Sequence, residues 1–396
     1  MYISNSLHSE FEKRFVKAFK KNDVLQISGP SKSGKTHLVV EFLKEMPFDD
    51  VLFLSGNSML DKIVLMNNDS LELAQLIKNR RVILIDDAHR IPRLDSTLKT
   101  LRELSSTLKI VTIYSTRAID DRKQLRIYPI GFNAISAMFP STPDIDLLNE
   151  SLVYGSLPEI LAAPSYSEKR RILERINHMD MLKDVFDLEK ISNSKALMDL
   201  LYFIANNINR SLSINEIAEQ LGVNPRTVKR YIQILEDHYI IHEHKAFKKK
   251  LKNEVQSFSR YYFYDLGIRN SMLRMFNPLS MRNDVEELWA NWLIIERHKV
   301  QELTGVSHVL DFESYFWETW QKHYIDLLEV DRRSDETSSL RAYKFGFNNI
   351  LKRNQNAPSV FQKNYPTAQF TVVTPQNFKD FLTLDIVGML PHQYSI

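Results

Sequence analysis

The 396-residue chain contains no cysteine. This absence excludes disulfide bonds and zinc sites built from cysteine, and it gives weak support to a reducing compartment. Long apolar runs are also missing, since runs such as Val82–Ile85 fall far short of the roughly 20 residues that cross a bilayer. The N-terminal stretch MYISNSLHSEFEKRF has no apolar core of the signal-peptide kind. We therefore expect a cytoplasmic protein that contacts no membrane.

An excess of charge of one sign is missing too. The chain has 52 Lys and Arg residues against 49 Asp and Glu residues, a net charge of +3, so an argument for nucleic acid must come from local basic patches. Hydrophobic residues make up 43% and charged residues 26%, which is typical of globular proteins and argues against extensive disorder. The length predicts about two to three domains.

Short β-rich runs alternate with helical stretches up to about residue 139. The runs are VLQIS (24–28), VLFLS (51–55), RVILID (81–86), KIVTIYS (109–115) and LRIYPI (125–130). Continuous apolar runs separated by helices predict parallel strands buried on both faces. The pattern then becomes helical through residue 238, and strand-like aromatic pieces return after residue 256. We predict an α/β domain over 1–139, a helical lid and winged helix over 140–250, and an α+β domain over 251–396.

The stretch GPSKSGKTH between the first strand and a helical segment has the spacing of a Walker A loop (P-loop). Gly29 and Gly34 permit the backbone to curl so that its N–H groups face phosphate oxygens. Lys35 would neutralise the β- and γ-phosphates, and the Thr36 hydroxyl would hold Mg²⁺. A chance match in a surface turn is the alternative, and the strand–loop–helix context argues against it. The predicted ATP-binding residues are Gly29, Pro30, Ser31, Lys32, Ser33, Gly34, Lys35, Thr36 and His37.

The stretch RVILIDDAH ends a buried strand with two carboxylates. We predict that Asp86 holds Mg²⁺ through water and that Asp87 orients the attacking water. Asp87 stands where most such ATPases have Glu, and the side chain shorter by one methylene predicts slow turnover. At the end of the next strand, Ser115 or Thr116 is a candidate sensor of the γ-phosphate. The predicted catalytic residues are Asp87, Lys35 and Ser115, although a solvated acidic strand end and ordinary strand-end hydroxyls are the alternatives.

These motifs resemble the bacterial and archaeal AAA+-like P-loop ATPases that carry a winged helix and a C-terminal restriction-endonuclease-like domain of unknown function. The resemblance also covers LIDDAHRIPRL, RIYPIGFNAI, YGSLPEIL and YYFYDLGIRNSML, in that order. It implies that Pro158 packs near the adenine, although a helix-starting proline is an equal alternative. It also places Arg117, Arg122 and Arg126 where related ATPases have a charge-stabilising arginine, without choosing among them.

The stretch 213–241 reads as two short helices around Gly222 followed by a turn into a strand. On the second helix Arg226, Lys229 and Arg230 lie outward, where a recognition helix meets DNA. The basic segment HKAFKKKLKN that follows suits a wing along the phosphate backbone, with Lys248, Lys249 and Lys250 as contacts. A winged helix that binds a protein partner is the alternative.

The C-terminal region departs from the family pattern. The resemblance implies an Asp in one strand and Glu-x-Lys in the next, and Asp326 supplies the first. Lys344 and Gly346 stand where the family often has Glu and Lys, and Glu329 is expected on the strand face opposite to Asp326. We therefore predict a domain without nuclease activity that packs on the ATPase domain or docks a partner through aromatic residues. Those residues are Tyr315, Trp317 and Trp320.

Three functions follow from these patterns. The leading hypothesis is an ATP- and Mg²⁺-binding, slowly hydrolysing ATPase switch that controls the winged-helix and C-terminal domains. The first alternative is a DNA-binding regulator in which ATP is mainly structural. The second is an ATP-dependent nuclease.

Overall fold

The computed structural model describes most of the chain. The described residues are 5–117, 124–176, 181–189, 191, 193–247, 257–303, 312–331, 340–348 and 356–383. Arg122 and Lys248–Lys250, which the sequence singles out, lie outside them.

Five parallel strands form the N-terminal sheet, as the sequence predicts. They are β1 (Val24–Ser28), β2 (Val51–Ser55), β3 (Val82–Asp86), β4 (Lys109–Tyr114) and β5 (Gln124–Arg126). Their spatial order is β2-β3-β4-β1-β5, with parallel pairing throughout. The carboxyl ends of β1, β3 and β4 therefore lie side by side, and these are the strands that precede the predicted site residues.

Helices cover both faces of this sheet, so its central strands are mostly apolar. Val82 and Leu84 of β3 pack in the core with α1 and α2, whereas Ile83 and Ile85 pack in the core with α3, α4 and α5. This alternation follows from the two-residue repeat of a strand. The helices are α1 (Asn5–Lys21), α2 (Lys35–Leu43), α3 (Met59–Asn67), α4 (Ser70–Leu76) and α5 (Leu94–Leu104), with short 3-10 turns at Phe48–Asp50 and Ala88–Arg90.

A helical region follows the sheet. It comprises α6 (Phe132–Met138), α7 (Asp144–Tyr154), α8 (Pro158–Leu161), α9 (Tyr166–Arg175), α10 (Met181–Glu189) and α11 (Ser194–Asn206). Apolar residues of α6, α7, α10 and α11 join the core that continues into the C-terminal half. The helical region is therefore packed against the C-terminal half of the chain.

Two capped helices and a strand pair come next. They are α12 (Ile214–Leu221), α13 (Pro225–Asp237), β6 (Ile241–Lys245) and β7 (Ser259–Phe263), with β6 and β7 antiparallel. Ser213 caps α12 by accepting the Glu216 N–H, and Asn224 caps α13 by accepting the Arg226 N–H. Gly222 ends α12 in a left-handed conformation with φ 64°, and Asn224 caps α13 two residues later, so the chain turns sharply between the two helices.

The C-terminal region is a four-stranded sheet with helices. Its elements are α14 (Leu266–Leu273), α15 (Val285–Leu303), β8 (Phe312–Glu318), β9 (Tyr324–Asp331), β10 (Leu340–Phe345), α16 (Ser359–Asn364), β11 (Gln369–Val373) and α17 (Phe378–Leu382), with a 3-10 turn at Leu279–Met281. The strand order is β11-β10-β9-β8, antiparallel except between β10 and β11.

Helix α15 fastens the C-terminal region to the segment after β5 and to the helical region. The Glu296 Oε2 atom accepts the Phe132 N–H at 2.8 Å, and Lys299 Nζ donates to the Ile130 carbonyl at 3.3 Å and to Ser156 Oγ at 3.1 Å. All of these groups are buried, so the contacts are shielded from competing water. Within the described ranges, no helix is both long and apolar enough to span a bilayer.

Two expectations for the C-terminal sheet are wrong. Trp317 does not belong to an exposed aromatic surface, because it is fully buried, whereas Trp320 is 62% exposed. Asp326 and Glu329 do not point to opposite faces. On β8, Tyr315 pairs with Leu328 and Trp317 pairs with Ile325, so two β9 residues lie opposite the single β8 residue between these pairs. This β-bulge resets the alternation.

Candidate nucleotide-binding and hydrolysis site

The loop between β1 and α2 has the backbone of a phosphate-binding loop. Gly34 has φ 91°, in the left-handed region that glycine adopts freely, and it immediately precedes α2. Gly29 passes so close to the segment after β5 that a Cβ atom would lie 2.0 Å from the Ile127 carbonyl oxygen. Ser33 Oγ donates to that same oxygen at 3.0 Å. The sequence therefore needs glycine at both positions to form this loop.

Lys35 begins α2 and is buried in the loop. Its Nζ atom donates to the carbonyl oxygens of Gly29 at 3.0 Å and Pro30 at 2.7 Å. Burial lowers the pKa of Lys35 to about 8, against the opposing effect of the Asp86 and Asp87 carboxylates. The lysine thus remains mostly protonated at neutral pH and supplies a poorly solvated cation to the cleft.

Thr36 and Asp86 meet where β3 ends beside the loop. Thr36 Oγ1 lies 3.1 Å from Asp86 Oδ1 and 3.0 Å from Oδ2. Burial and the neighbouring Asp87 raise the pKa of Asp86, and a divalent cation would counter both effects. A hydroxyl and a carboxylate are the hard oxygen ligands that Mg²⁺ prefers. These two residues fit the cation that the loop implies.

Asp87 follows Asp86 in a left-handed backbone conformation with φ 47°. Its side chain accepts a hydrogen bond from the Asn57 amide, which lies in the loop after β2. Sequence reasoning missed Asn57, because its partner lies 30 residues away. The bond gives the predicted catalytic carboxylate a defined orientation.

The cleft around these residues has a volume of about 680 Å³, within the usual range for small-molecule sites. The lining includes the loop, both aspartates, Ser115, Pro158 and, from α10, Lys183 and Asp184. Pro158 is the first residue of α8, and its Cγ atom would lie 3.3 Å from a Cβ atom on Gly34. It thus combines the helix-starting position with a place at the phosphate loop.

His89 and Arg90 join this site to α10, a link that the sequence did not reveal. The His89 Nδ1 atom accepts the Ser115 N–H at 3.3 Å, and its Nε2 atom lies 3.5 Å from Asp184 Oδ2. Arg90 forms an ion pair with the same Asp184. Both partners are distant in sequence, so local spacing carries no signal of them.

Two of the candidate arginines are engaged elsewhere in the same chain. Arg117 donates through its side chain to Glu236 at 3.3 Å, and Arg126 donates to Glu302 at 3.2 Å. Arg122 lies outside the described residues. The described geometry therefore does not aim Arg117 or Arg126 at the phosphates.

The predicted DNA contacts on α13 are exposed. Arg226, Lys229 and Arg230 lie on its outer face, and Arg230 also donates to the Glu189 carbonyl at 3.2 Å. The proposed wing contacts Lys248, Lys249 and Lys250 lie outside the described residues.

The carboxylates of the C-terminal sheet are hydrogen-bonded to arginines. Asp326 accepts from Arg260 at 3.2 Å and from the Phe345 N–H at 2.9 Å. Arg260 also donates to Glu318 at 3.2 Å. Glu329 forms a two-pronged bond with Arg297, at 2.7 and 2.8 Å.

Asp326 and Glu329 are buried with these partners. Lys344 lies over the Tyr324 ring, 4.4 Å from its centroid. Within the described sheet, neither of these two carboxylates is left open to a metal ion.

A family model that covers the loop agrees with its geometry. Residues 21–140 match a family model described as AAA domain, and residues 145–279 match one described as Domain of unknown function (DUF8612). Uncharacterized protein MJ1544 of Methanocaldococcus jannaschii is 22% identical over 274 residues, or 62% of this chain. The match covers only 61% of that protein's own length.

Two solved structures show a partial likeness. The Walker-type ATPase PABY2304 of Pyrococcus abyssi has a TM-score of 0.46 and 13% identity, over 68% of this chain and 95% of that chain. A DNA replication initiation factor has a TM-score of 0.27 and 15% identity, over 60% of this chain and 89% of that chain. Both scores are too low to support a functional argument. The AAA-domain match and the loop geometry support an AAA-like P-loop ATPase that binds ATP.

Proposed function

We propose that this protein is a slowly hydrolysing ATPase switch whose nucleotide state controls α12, α13 and the β6–β7 pair, together with the C-terminal region. One observation carries the proposal: the end of α13 is bonded to the strand ends at the nucleotide cleft. The Arg117 N–H, two residues after Ser115, donates to the Asp237 carbonyl at 2.7 Å. On the neighbouring strand, Ser28 Oγ lies 2.9 Å from the Tyr239 hydroxyl.

The residues of the cleft have distinct roles in this proposal. Lys35 and the backbone N–H groups bind the β- and γ-phosphates, and Thr36 and Asp86 hold Mg²⁺. The cation supplies charge neutralisation when bound. Asp87 orients the attacking water and accepts its proton. Because its side chain is one methylene shorter than Glu, the water is held less closely and turnover is slow.

Helix α10 gives the cleft a second route to α13. Its residues Lys183 and Asp184 line the cleft, whereas Glu189 at its other end contacts α13. The Glu189 Oε1 atom lies 3.2 Å from His238 Nε2, directly after α13. If α10 has two alternative positions and the nucleotide binds one of them more tightly, nucleotide binding would shift α10 and therefore α13 as well.

The exposed cations of α13 favour one further candidate, a DNA-binding regulator in which ATP is mainly structural. Arg226, Lys229 and Arg230 lie on one helix face, as contacts to a phosphate backbone require. The two candidates differ in one respect: only the switch requires α13 to respond to hydrolysis. The nuclease alternative has less support, because Asp326 and Glu329 are hydrogen-bonded to arginines rather than open to a metal ion.

Hydrogen exchange of α13 tests the switch. We would compare residues 225–237 in the nucleotide-free protein, with ADP, and in the Asp87→Asn variant with ATP and Mg²⁺. The switch predicts that the ATP and ADP states differ, and that Lys35→Ala removes the difference. Identical exchange in all three states, with nucleotide binding shown separately, would mean that ATP does not control α13.

A further inference from the structure

We infer that His89 is a positioning residue that orients Ser115 at the nucleotide cleft and links it to α10. The inference rests on the proposed ATPase function and deepens it. His89 lies in the short turn after Asp86 and Asp87, with only 4% of its side chain exposed. Its Nδ1 atom accepts the Ser115 N–H at 3.3 Å, and its Nε2 atom faces Asp184 Oδ2 at 3.5 Å.

Ser115 needs such a partner because the sheet does not hold it. The last residue of β4 paired with β3 is Thr112, and the last one paired with β1 is Tyr114. Ser115 therefore leaves the strand with its N–H directed at the His89 ring, and it lines the cleft there. The orientation of Ser115 depends on this hydrogen bond.

The hydrogen-bond pattern specifies one form of the imidazole. Since Nδ1 accepts a hydrogen bond, the neutral ring carries its proton on Nε2, which faces the Asp184 carboxylate. Burial lowers the pKa of His89 to about 4, although the Asp87 carboxylate opposes this change. The ring is therefore neutral at physiological pH and accepts the Ser115 N–H in one tautomer, while its Nε2 atom lies 3.5 Å from Asp184 Oδ2 without a hydrogen bond.

The His89 ring lies between Ser115 and α10. Asp184 belongs to α10 and is also paired with Arg90. If His89 is replaced, the Arg90 pair still holds Asp184, so α10 keeps a link to the turn after β3. The specific loss is then the orientation of Ser115, not the docking of α10.

Two substitutions separate the two sides of the ring. In His89→Asn the amide oxygen lies near the former Nδ1 position and still accepts the Ser115 N–H. In His89→Gln the amide reaches the former Nε2 position, facing Asp184, and leaves the Ser115 N–H without its acceptor. We expect the Ser115 amide to exchange about tenfold faster in His89→Gln and nearly unchanged in His89→Asn.

Turnover should follow the same order. We expect kcat for ATP to fall about tenfold in His89→Gln, with ATP affinity changed less than about threefold, and to stay near wild type in His89→Asn. Equal losses in the two variants, or unchanged Ser115 exchange in His89→Gln, would overturn the positioning role. Exchange is measured without nucleotide. If the wild-type protein does not hydrolyse ATP but the two variants show the expected exchange of the Ser115 amide, the proposed ATPase activity is wrong and the positioning of Ser115 by His89 stands.

Discussion

The backbone N–H of Arg117 donates to the carbonyl oxygen of Asp237 over 2.7 Å. Asp237 ends α13, and the last carbonyls of a helix need partners from outside it. The Arg117 side chain reinforces the contact, because its guanidinium donates to Glu236 and lies 6.0 Å from the centroid of the Tyr239 ring. The end of α13 therefore cannot shift without disturbing the strand end beside Ser115.

Removing the Arg117 side chain should uncouple α13 from the nucleotide. The ion pair with Glu236 is worth only about 0.5–1 kcal/mol, since Arg117 is 36% exposed, so the fold should survive. In Arg117→Ala and in Glu236→Gln we expect a smaller ATP-dependent change in hydrogen exchange over residues 225–237. ATP affinity, measured by calorimetry, should change less than about threefold.

Arg126→Ala is the matched control for this uncoupling, because it breaks an ion pair with Glu302 that does not involve α13. The α13 response should persist in that variant. A full response in both Arg117→Ala and Glu236→Gln would show that the coupling does not pass through this contact.

Lys35→Ala should weaken ATP binding about 10- to 100-fold, because it removes a charged donor from the phosphate site. Lys44→Ala is the control, since Lys44 is exposed just after α2 and pairs with Glu41. The affinity of the wild-type protein for ATP should also fall as pH rises past about 8, because Lys35 of the nucleotide-free protein loses its proton there. Lys35→Ala should lack that dependence. Equal affinity of Lys35→Ala and wild type would disprove the phosphate-loop assignment.

Asp87→Asn should retain ATP and lose turnover. Asn tolerates the left-handed backbone found at this position, so the local fold should hold. Loss of the carboxylate that accepts the proton from water should lower kcat by about 100-fold or more, with little change in ATP affinity. Phosphate release under single-turnover conditions measures this. Hydrolysis at the wild-type rate would assign the role of general base to another group.

The P-loop and its strands could be predicted because their pattern is local. A β-rich run, a Gly-containing loop and an amphipathic helix follow one another directly between residues 24 and 43, and the AAA-domain match and the fold confirm this P-loop domain. The bonds of Asn57 to Asp87 and of His89 to Ser115 join residues far apart in sequence. Spacing alone contains no information about such contacts.

The C-terminal sheet shows how one local irregularity defeats a periodic argument. Alternation predicted that Asp326 and Glu329 face opposite ways, but the bulge opposite Phe316 turns both toward arginines. Strand alternation holds only while pairing is regular. A bulge is a tertiary feature, and the sequence HYIDLLEVD carries no clear signal of it.

Exposed cations on α13 predict salt-dependent binding if α13 contacts DNA. Replacing Arg226, Lys229 and Arg230 with Ala should weaken binding to all sequences, and each lost phosphate contact should reduce the log–log salt slope by about one unit. The control removes equal charge elsewhere, with Arg170, Arg171 and Lys195 replaced by Ala. Those side chains are also exposed. Fluorescence anisotropy over a salt series measures the slope.

An absence of binding at low salt, with and without ATP, would assign α13 to protein contacts instead. Lys248, Lys249 and Lys250 provide a separate triple-Ala variant. If the proposed wing also contacts DNA, that variant should reduce the slope independently of the α13 variant.

The C-terminal region should leave DNA intact, because Arg260 fills the position between its carboxylates. Its guanidinium bonds to both Asp326 and Glu318 and lies over the Phe316 ring, 4.5 Å from its centroid. Burial raises the pKa of Asp326, although the Arg260 charge opposes that change. A divalent cation would have to displace a buried, hydrogen-bonded arginine to reach these oxygens, which is unfavourable.

We therefore expect no cleavage of single-stranded, double-stranded or forked DNA by the full chain with ATP and Mg²⁺ or Mn²⁺. Arg260→Ala should destabilise the protein by about 3–5 kcal/mol, because it leaves buried carboxylates without their cation. Arg210→Ala is the control, since Arg210 is an exposed arginine paired with Glu216. Wild-type cleavage that disappears in Asp326→Ala would contradict this account, since Asp326 would then be acting in metal-dependent catalysis rather than in an ion pair that closes the site.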